Sequence, residues 1–262
     1  MPKPYLLIAP ILLIGMIFDT AATAKTPINL EARVVVGSSD EADFHDLQEA
    51  IIAAEDGALI ILEPGIYEAE PSEFIEHQCG NCFDPSTEVT ASAGFVIKGK
   101  SLTIMGSGAD RTELVTNAGY GVYIEDCPNV EITSLAITGG ERDQDGNATC
   151  AAVVARGSSV EIAWCAIHDN QGDFETTVAG IGGVMGREGA MLHIHHNRIH
   201  DNSWDGVALY RGAVADVHDN AIWSGRGAGV GITWDAYATV IRNDIHDYWK
   251  GIGSFGNTRV GV

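Results

Sequence analysis

Apolar positions along the C-terminal half of the chain recur in a shared frame. Aligned on Gly206, Gly229 and Gly251, which sit 23 and 22 residues apart, the chain falls into units that share a frame. With the leading residue as position zero, position one holds Val122, Val184, Val207, Val230 and Ile252, and position three holds Ile124, Val154, Leu209 and Ile232. Position eleven holds Ile132, Ile162, Ile194, Val217, Val240 and Val262, and position sixteen holds Ile137, Ile167, Ile199, Ile222 and Ile245. Each unit shows short alternating segments separated by glycine or polar residues, the pattern of strands joined by tight corners. Position six carries Cys127, Gly157, Gly189, Gly212, Asp235 and Asn257, mostly types that tolerate a left-handed corner. Such a coil cannot bury its own inner face. Stacked at about 4.8 Å, coils pair every strand and close a continuous aliphatic core. Parallel crossovers are right-handed, so the predicted fold is all-β: a right-handed parallel β-helix, a single-stranded solenoid.

Further details follow from the same frame. Asn197, Asn220 and Asn243 fall at position fourteen, predicting inward amides that bond along the stack. Cys165 takes that position in its own unit and is expected buried and reduced. Extra residues in 139–150 and 170–182 leave the same corner of neighbouring coils as longer loops, of the kind that build binding sites. Residues 43–56 read as an amphipathic helix with Asp43 at the N-cap and Gly57 as the stop, laid over the first coil as a cap. Ala58–Leu62 reads as a buried strand and Pro64-Gly65 as a type II turn.

Residues 1–24 have the parts of a secretory signal peptide: Lys3, an apolar run from Tyr5 to Phe18, and Ala22-Thr23-Ala24 as the cleavage site. The run is short of the ~20 residues that span a bilayer as a helix. The expected product is therefore 25–262, exported, extracellular or periplasmic, with no membrane insertion after cleavage. Without Lys3 and Asp19 it keeps 14 basic and 35 acidic residues and the net charge of −21. That charge opposes nucleic acid and anionic membranes. It also opposes acidic sugars, unless a divalent cation such as Ca2+ or a local basic patch intervenes. Export permits disulfides among Cys79, Cys82, Cys127, Cys150 and Cys165. The odd number leaves a thiol over, and Cys79-Gly-Asn-Cys82 is the expected loop-closing pair.

The segments DLQEAIIAAEDGALIILEPGIYE (46–68), SLTIMGSG (101–108) and NVEITSLAITGG (129–140) resemble the opening of pectin-lyase-like right-handed β-helix proteins. The units 181–262, with their asparagine ladder, resemble the parallel β-helix repeats of that family, so the resemblance covers about 34–262. It implies the fold. It also implies a choice of roles: polysaccharide lyases, hydrolases and epimerases, tailspikes, and periplasmic helpers of copper enzymes. The paired aspartates and Gly-His-Gly of polygalacturonases and the Asp-Pro-His-Asp of alginate epimerases are absent; His200-Asp201-Asn202 is only loosely similar to the latter.

In such enzymes the outer side of the first strand and its following turn usually hold the active-site groove. That side is expected to present Glu125, Asp126, Arg156, Arg187, Glu188, Tyr210, Arg211 and Trp234. Arg211, Glu188 and Asp235 are the catalytic candidates, and Trp234, Tyr210, Arg187 and Trp204 the substrate-binding ones. Sugar sites use rings under pyranose faces and a few polar groups, and a uronate lyase needs a cation and a base. Against this stands a Glu188–Arg211 surface pair beside a solvated tryptophan, with Asp235 serving its turn. His193, His195, Asp216 and His218 fall at neighbouring outward positions and are candidate Zn2+ or Cu2+ ligands, or simply a ladder of like residues. His168-Asp169, His200-Asp201 and His246-Asp247 repeat as a corner motif, with Asp expected to accept turn N–H groups. The expected function is binding or modification of polysaccharide, with lyase, epimerase or hydrolase as the enzyme types. The alternatives are a non-catalytic scaffold or adhesin, and a metal-handling helper. Val262 falls in mid-coil with no polar cap after it, predicting further coils or end-to-end self-association.

Overall fold

The computed structural model describes residues 29–171 and 180–262. The expected signal peptide and most of the 170–182 insertion lie outside the described residues. Strands stack into three sheets of eight, nine and seven strands among the described residues. The first sheet runs through Tyr120–Glu125, Ala151–Arg156, Gly182–Arg187, Val207–Leu209, Ala228–Thr233 and Lys250–Phe255. The second runs through Val130–Thr133, Ser159–Ala163, Met191–His195, Val214–His218 and Tyr237–Ile241, the third through Ala136–Thr138, Ala166–His168, Arg198–His200, Ala221–Trp223 and Asp244–His246. Between coils all the pairings are parallel, as a right-handed β-helix requires. The inward columns form one buried aliphatic core from Val36 to Val240.

From Tyr120 onward each corner contains a left-handed residue. After the first sheet these are Asp126, Gly157, Glu188-Gly189, Arg211-Gly212, Trp234-Asp235 and Gly256. The expected corner at position six is therefore shared with position five, and Cys127 and Asn257 yield the role to the residues before them. After the second sheet Ser134, Trp164, His196, Asp219 and Arg242 take φ of 54–60°, turning the next residue, the ladder asparagine in three of these coils, inward. The ladder forms as predicted. Asn220 Oδ1 accepts from the Asn197 backbone and side-chain N–H groups, and Asn243 Oδ1 accepts likewise from Asn220. Cys165 is buried and reduced, and its N–H donates to Asn197 Oδ1. A second rung, Asn170 to Asn202, holds the third corner.

Four local expectations need correction. The helix spans Leu47–Ala53 with Asp46 as N-cap, since the Asp43 carboxylate accepts instead from the Val35 N–H. Leu47, Ala50 and Ile51 bury against the first coil, and Lys100 Nζ donates to the last carbonyls, the favoured end for a cation. Gly65 does not take positive φ and opens the strand Gly65–Glu68, so Pro64-Gly65 is no type II turn. In Ala151–Arg156 the register is one residue on: Val153 pairs with Val122 and Ala155 with Ile124, so Val154 faces outward. At the third corner each Asp carboxylate pairs with the preceding histidine Nδ1 at 2.7–2.8 Å, in place of turn N–H groups.

Candidate functional site

The outer face of the first sheet, expected open, is mostly covered by the chain itself. Val89–Lys98 extends beyond its pairing with Tyr120–Glu125, and Ser72–Glu76 pairs antiparallel with that overhang. This hairpin and its loop form a strap along the solenoid axis. Phe74 packs on Tyr120 and Tyr123, and Tyr120 donates its hydroxyl to Glu76 at 2.8 Å. Farther down, Gln78 meets Arg156 and Arg187, and Arg211 donates to the carbonyls of Cys79 and Cys82. Asn81 accepts from Trp234 Nε1 at 3.2 Å. The Cys79–Cys82 disulfide forms as expected and turns the strap at its tip. A second apolar cluster, including Val89, Ala91, Tyr123, Val154 and Met185, fills the space beneath. On the other side Asp143 and Asp145 accept from Ser92 and Thr90, which anchors the 139–150 insertion against the hairpin.

The strap settles where the predicted residues sit. Arg187 is 0% exposed and paired with Glu76, which is itself buried, so it does not reach a ligand at the surface. Glu188 pairs with Arg187 and lies near Arg156 in place of the expected partner Arg211. Burial lifts its carboxyl above the ordinary carboxylate pKa, against the pull of those cations. Arg211 lies over the Trp234 ring at 5.1 Å and is tied to the strap tip. Asp235 occupies its left-handed corner and accepts from Asn257. Tyr210 is buried, and Trp204 and Trp234 are half-buried.

Beyond the strap tip the outer face is packed by side chains of the solenoid itself, and Ala208, Gly231 and Gly253 are all buried. Alternation places Ala208, Gly231 and Gly253 in one outward row, a floor of small residues. Around it stand aromatic rings, each with a cation upon it: Arg226 over Trp204 at 5.8 Å, Arg211 over Trp234, and Lys250 between Trp249 and Phe255 at 4.2 and 4.3 Å. Trp204 and Tyr210 also line a pocket with Asn81, Cys82, Thr149 and Met185. Under this edge lies Asp205, which the sequence analysis did not single out. It is 8% exposed, and its Oδ1 accepts from the Ala228 N–H at 2.6 Å. Burial lifts its carboxyl to about 6. A Cβ on Gly231 would come 3.2 Å from Asp205 Oδ2 and one on Gly227 would overlap Oδ1, so glycine at both is what admits the carboxylate. A buried carboxyl with a shifted acidity is one mark of acid–base sites.

The outer face of the second sheet carries the histidines. The predicted register holds: His193 pairs with Asp216 and His195 with His218. The carboxylate that converges with His193 and His195 is Glu161, one coil earlier and beside His193, in place of Asp216. Glu161 occupies position ten of its unit, and that spacing could have identified it.

A family model described as the right-handed β-helix region matches residues 74–258. This is well over half of the chain, which therefore belongs to the right-handed β-helix family. Solved structures similar to it include a pectin methylesterase variant in complex with a hexasaccharide, at 10% identity and TM-score 0.46, covering 83% of this chain and 80% of that one. Escherichia coli YbhC matches at 10% identity and TM-score 0.48, over 100% of this chain and 69% of that one. An Aspergillus niger pectin methylesterase matches at 11% identity and TM-score 0.45, over 90% and 87%. These likenesses speak to fold alone. No curated protein matches the chain significantly in sequence.

Proposed function

We propose that this protein, exported after removal of residues 1–24, binds an acidic polysaccharide at the aromatic rim of the first sheet's outer face, beyond the strap tip. The carrying observation is the ring of cation–aromatic pairs around the small-residue floor, in a chain with a net charge of −21. A pyranose face lies on an indole, and Arg226 and Lys250 supply the local basic patch that a uronate carboxylate needs. If the bound sugar is turned over, Asp205 is the group suited to take a proton from carbon, since a general base works best near the operating pH. It takes that role in preference to Glu188, which is committed to arginines. The strap favours the second reading, binding without turnover, because it fills most of the face where a longer groove would run.

An array of uronate-containing and neutral glycans, probed with the full chain with and without Ca2+, tests this. The reading expects retention of acidic glycans, weakened by Trp234→Ala. Turnover would appear as ultraviolet absorbance of an unsaturated uronate, lost in Asp205→Asn while binding stays. Retention of neutral glycans alone, or of none, overturns the proposal.

A further inference from the structure

We infer that Glu161, His193 and His195, with His218 from the next coil, form a Zn2+ site on the outer face of the second sheet. One ligand atom from each of Glu161, His193 and His195 lies within 4.8 Å of the others. His195 Nε2 is 3.3 Å from Glu161 Oε1, and His193 Nε2 is 2.8 Å from His218 Nε2. Zinc bonds of about 2.0–2.1 Å in a tetrahedron put ligand atoms roughly 3.3 Å apart, so small side-chain rotations close the set. Two Nε2 atoms at 2.8 Å share at most one proton, so at least one lone pair already points into the site.

The surroundings orient it further. His218 Nδ1 bonds the Asp219 carboxylate at 2.8 Å, and Arg242 holds that carboxylate through Nε and Nη2 at 2.7 and 2.6 Å. A carboxylate on Nδ1 places the proton there and leaves the Nε2 lone pair to bind the ion, the usual support behind a metal-bound imidazole. Glu161 and His193 also line an open groove with Ser159, Met191, Val214 and Asp216, through which an ion can reach the site from solvent. A nitrogen-rich set with one carboxylate suits Zn2+ and not Ca2+ or Mg2+, which prefer oxygen. The site draws on three consecutive coils, and so it would clip them together. Elsewhere the imidazoles do not converge: His168 and His200 stack in parallel at 5.0 Å, each with Nδ1 on its own aspartate.

The test is a titration of Zn2+ alone, in competition with a chromogenic chelator, into the full chain carrying no polyhistidine tag. The expected result is a single saturable site at micromolar or tighter affinity. His193→Ala should weaken it about 100-fold, and Asp219→Asn about 10-fold, within the range seen for lost supporting carboxylates. His246→Ala, in the non-converging column, should leave it unchanged, and circular dichroism of the metal-free variants should match the parent. Ca2+ in excess should not compete. Absence of saturable binding at micromolar Zn2+, or equal binding by the Glu161→Gln/His193→Ala double variant, overturns the inference.

Discussion

Replacing Asn220 by leucine tests the core of the solenoid. Asn220 is 3% exposed and its amide is fully used. Oδ1 accepts from the Asn197 N–H and Nδ2 at 3.0 Å each, and Nδ2 donates to Ile194 O, His218 O and Asn243 Oδ1 at 2.9–3.0 Å. Leucine has similar bulk but none of these bonds, and it strands two donors on Asn197, itself 2% exposed. Each stranded buried group costs about 1–3 kcal/mol. The apolar surface gained returns about 1–2 kcal/mol. The net expectation is a loss of about 2–4 kcal/mol, a large share of the roughly 5–15 kcal/mol that holds a domain folded. Asn243 accepts the same two bonds from Asn220 but is half-buried, so water can replace them, and Asn243→Leu should cost only about 1 kcal/mol. Urea unfolding reads both. With a slope of about 2 kcal/mol per molar, Asn220→Leu should lower the midpoint by about 1–2 M and Asn243→Leu by roughly 0.5 M. Equal shifts, or none, would refute the inward ladder.

Two more outcomes follow from buried charge. The Asp205 carboxyl titrates at about 6 in the fold but near 3.9 when unfolded. The folded chain therefore holds that proton to higher pH. Its stabilising share is complete below about pH 4 and lost as pH rises through about 6. Asp205→Asn, which can still accept from the Ala228 N–H, should be more stable than the parent by on the order of 2–3 kcal/mol at pH 8 and equal to it at pH 3.5; a gap that does not change with pH speaks against this burial. Arg187→Met leaves Glu76 buried without its cation and should cost about 3–5 kcal/mol. It should also speed proteolysis within 77–88, whereas Arg187→Met with Glu76→Gln should recover part of the loss; intact cleavage resistance in the single variant would show that the strap is held by other contacts.

The period of the inward aliphatics carried the fold, because a solenoid core repeats with the backbone and each coil meets the same neighbours. Asn197, Asn220 and Asn243 were legible for the same reason. Val154 was misplaced by one register because Ala151–Arg156 is apolar on both faces. Its outer face lies under the strap, so alternation gives no choice between registers. The strap itself was not legible, since 72–88 does not share the period and its contacts reach 129–132 residues along the chain to Arg211. It reassigns Arg187 and Glu188 from ligand contacts to internal ion pairs. Asp205 gave no local signal: its importance lies in burial, which depends on Gly227 and Gly231 from the following coil. The rings at Trp204 and Trp234 were visible as candidates, but not the cations that lie on them.

The most direct test of the central claim is a fluorescence titration of an acidic oligosaccharide into the parent chain and two tryptophan variants. Trp204 stands half-buried at the rim of this face with Arg226 upon it, whereas Trp164 is exposed at another corner, stacked on His196 at 4.3 Å. Loss of a ring that carries a sugar or base face typically removes about 1–3 kcal/mol, roughly 5- to 150-fold in affinity. The account predicts that Trp204→Ala weakens binding by at least about 5-fold and that Trp164→Ala leaves it unchanged. The reverse pattern, or equal affinity in all three proteins, would contradict it.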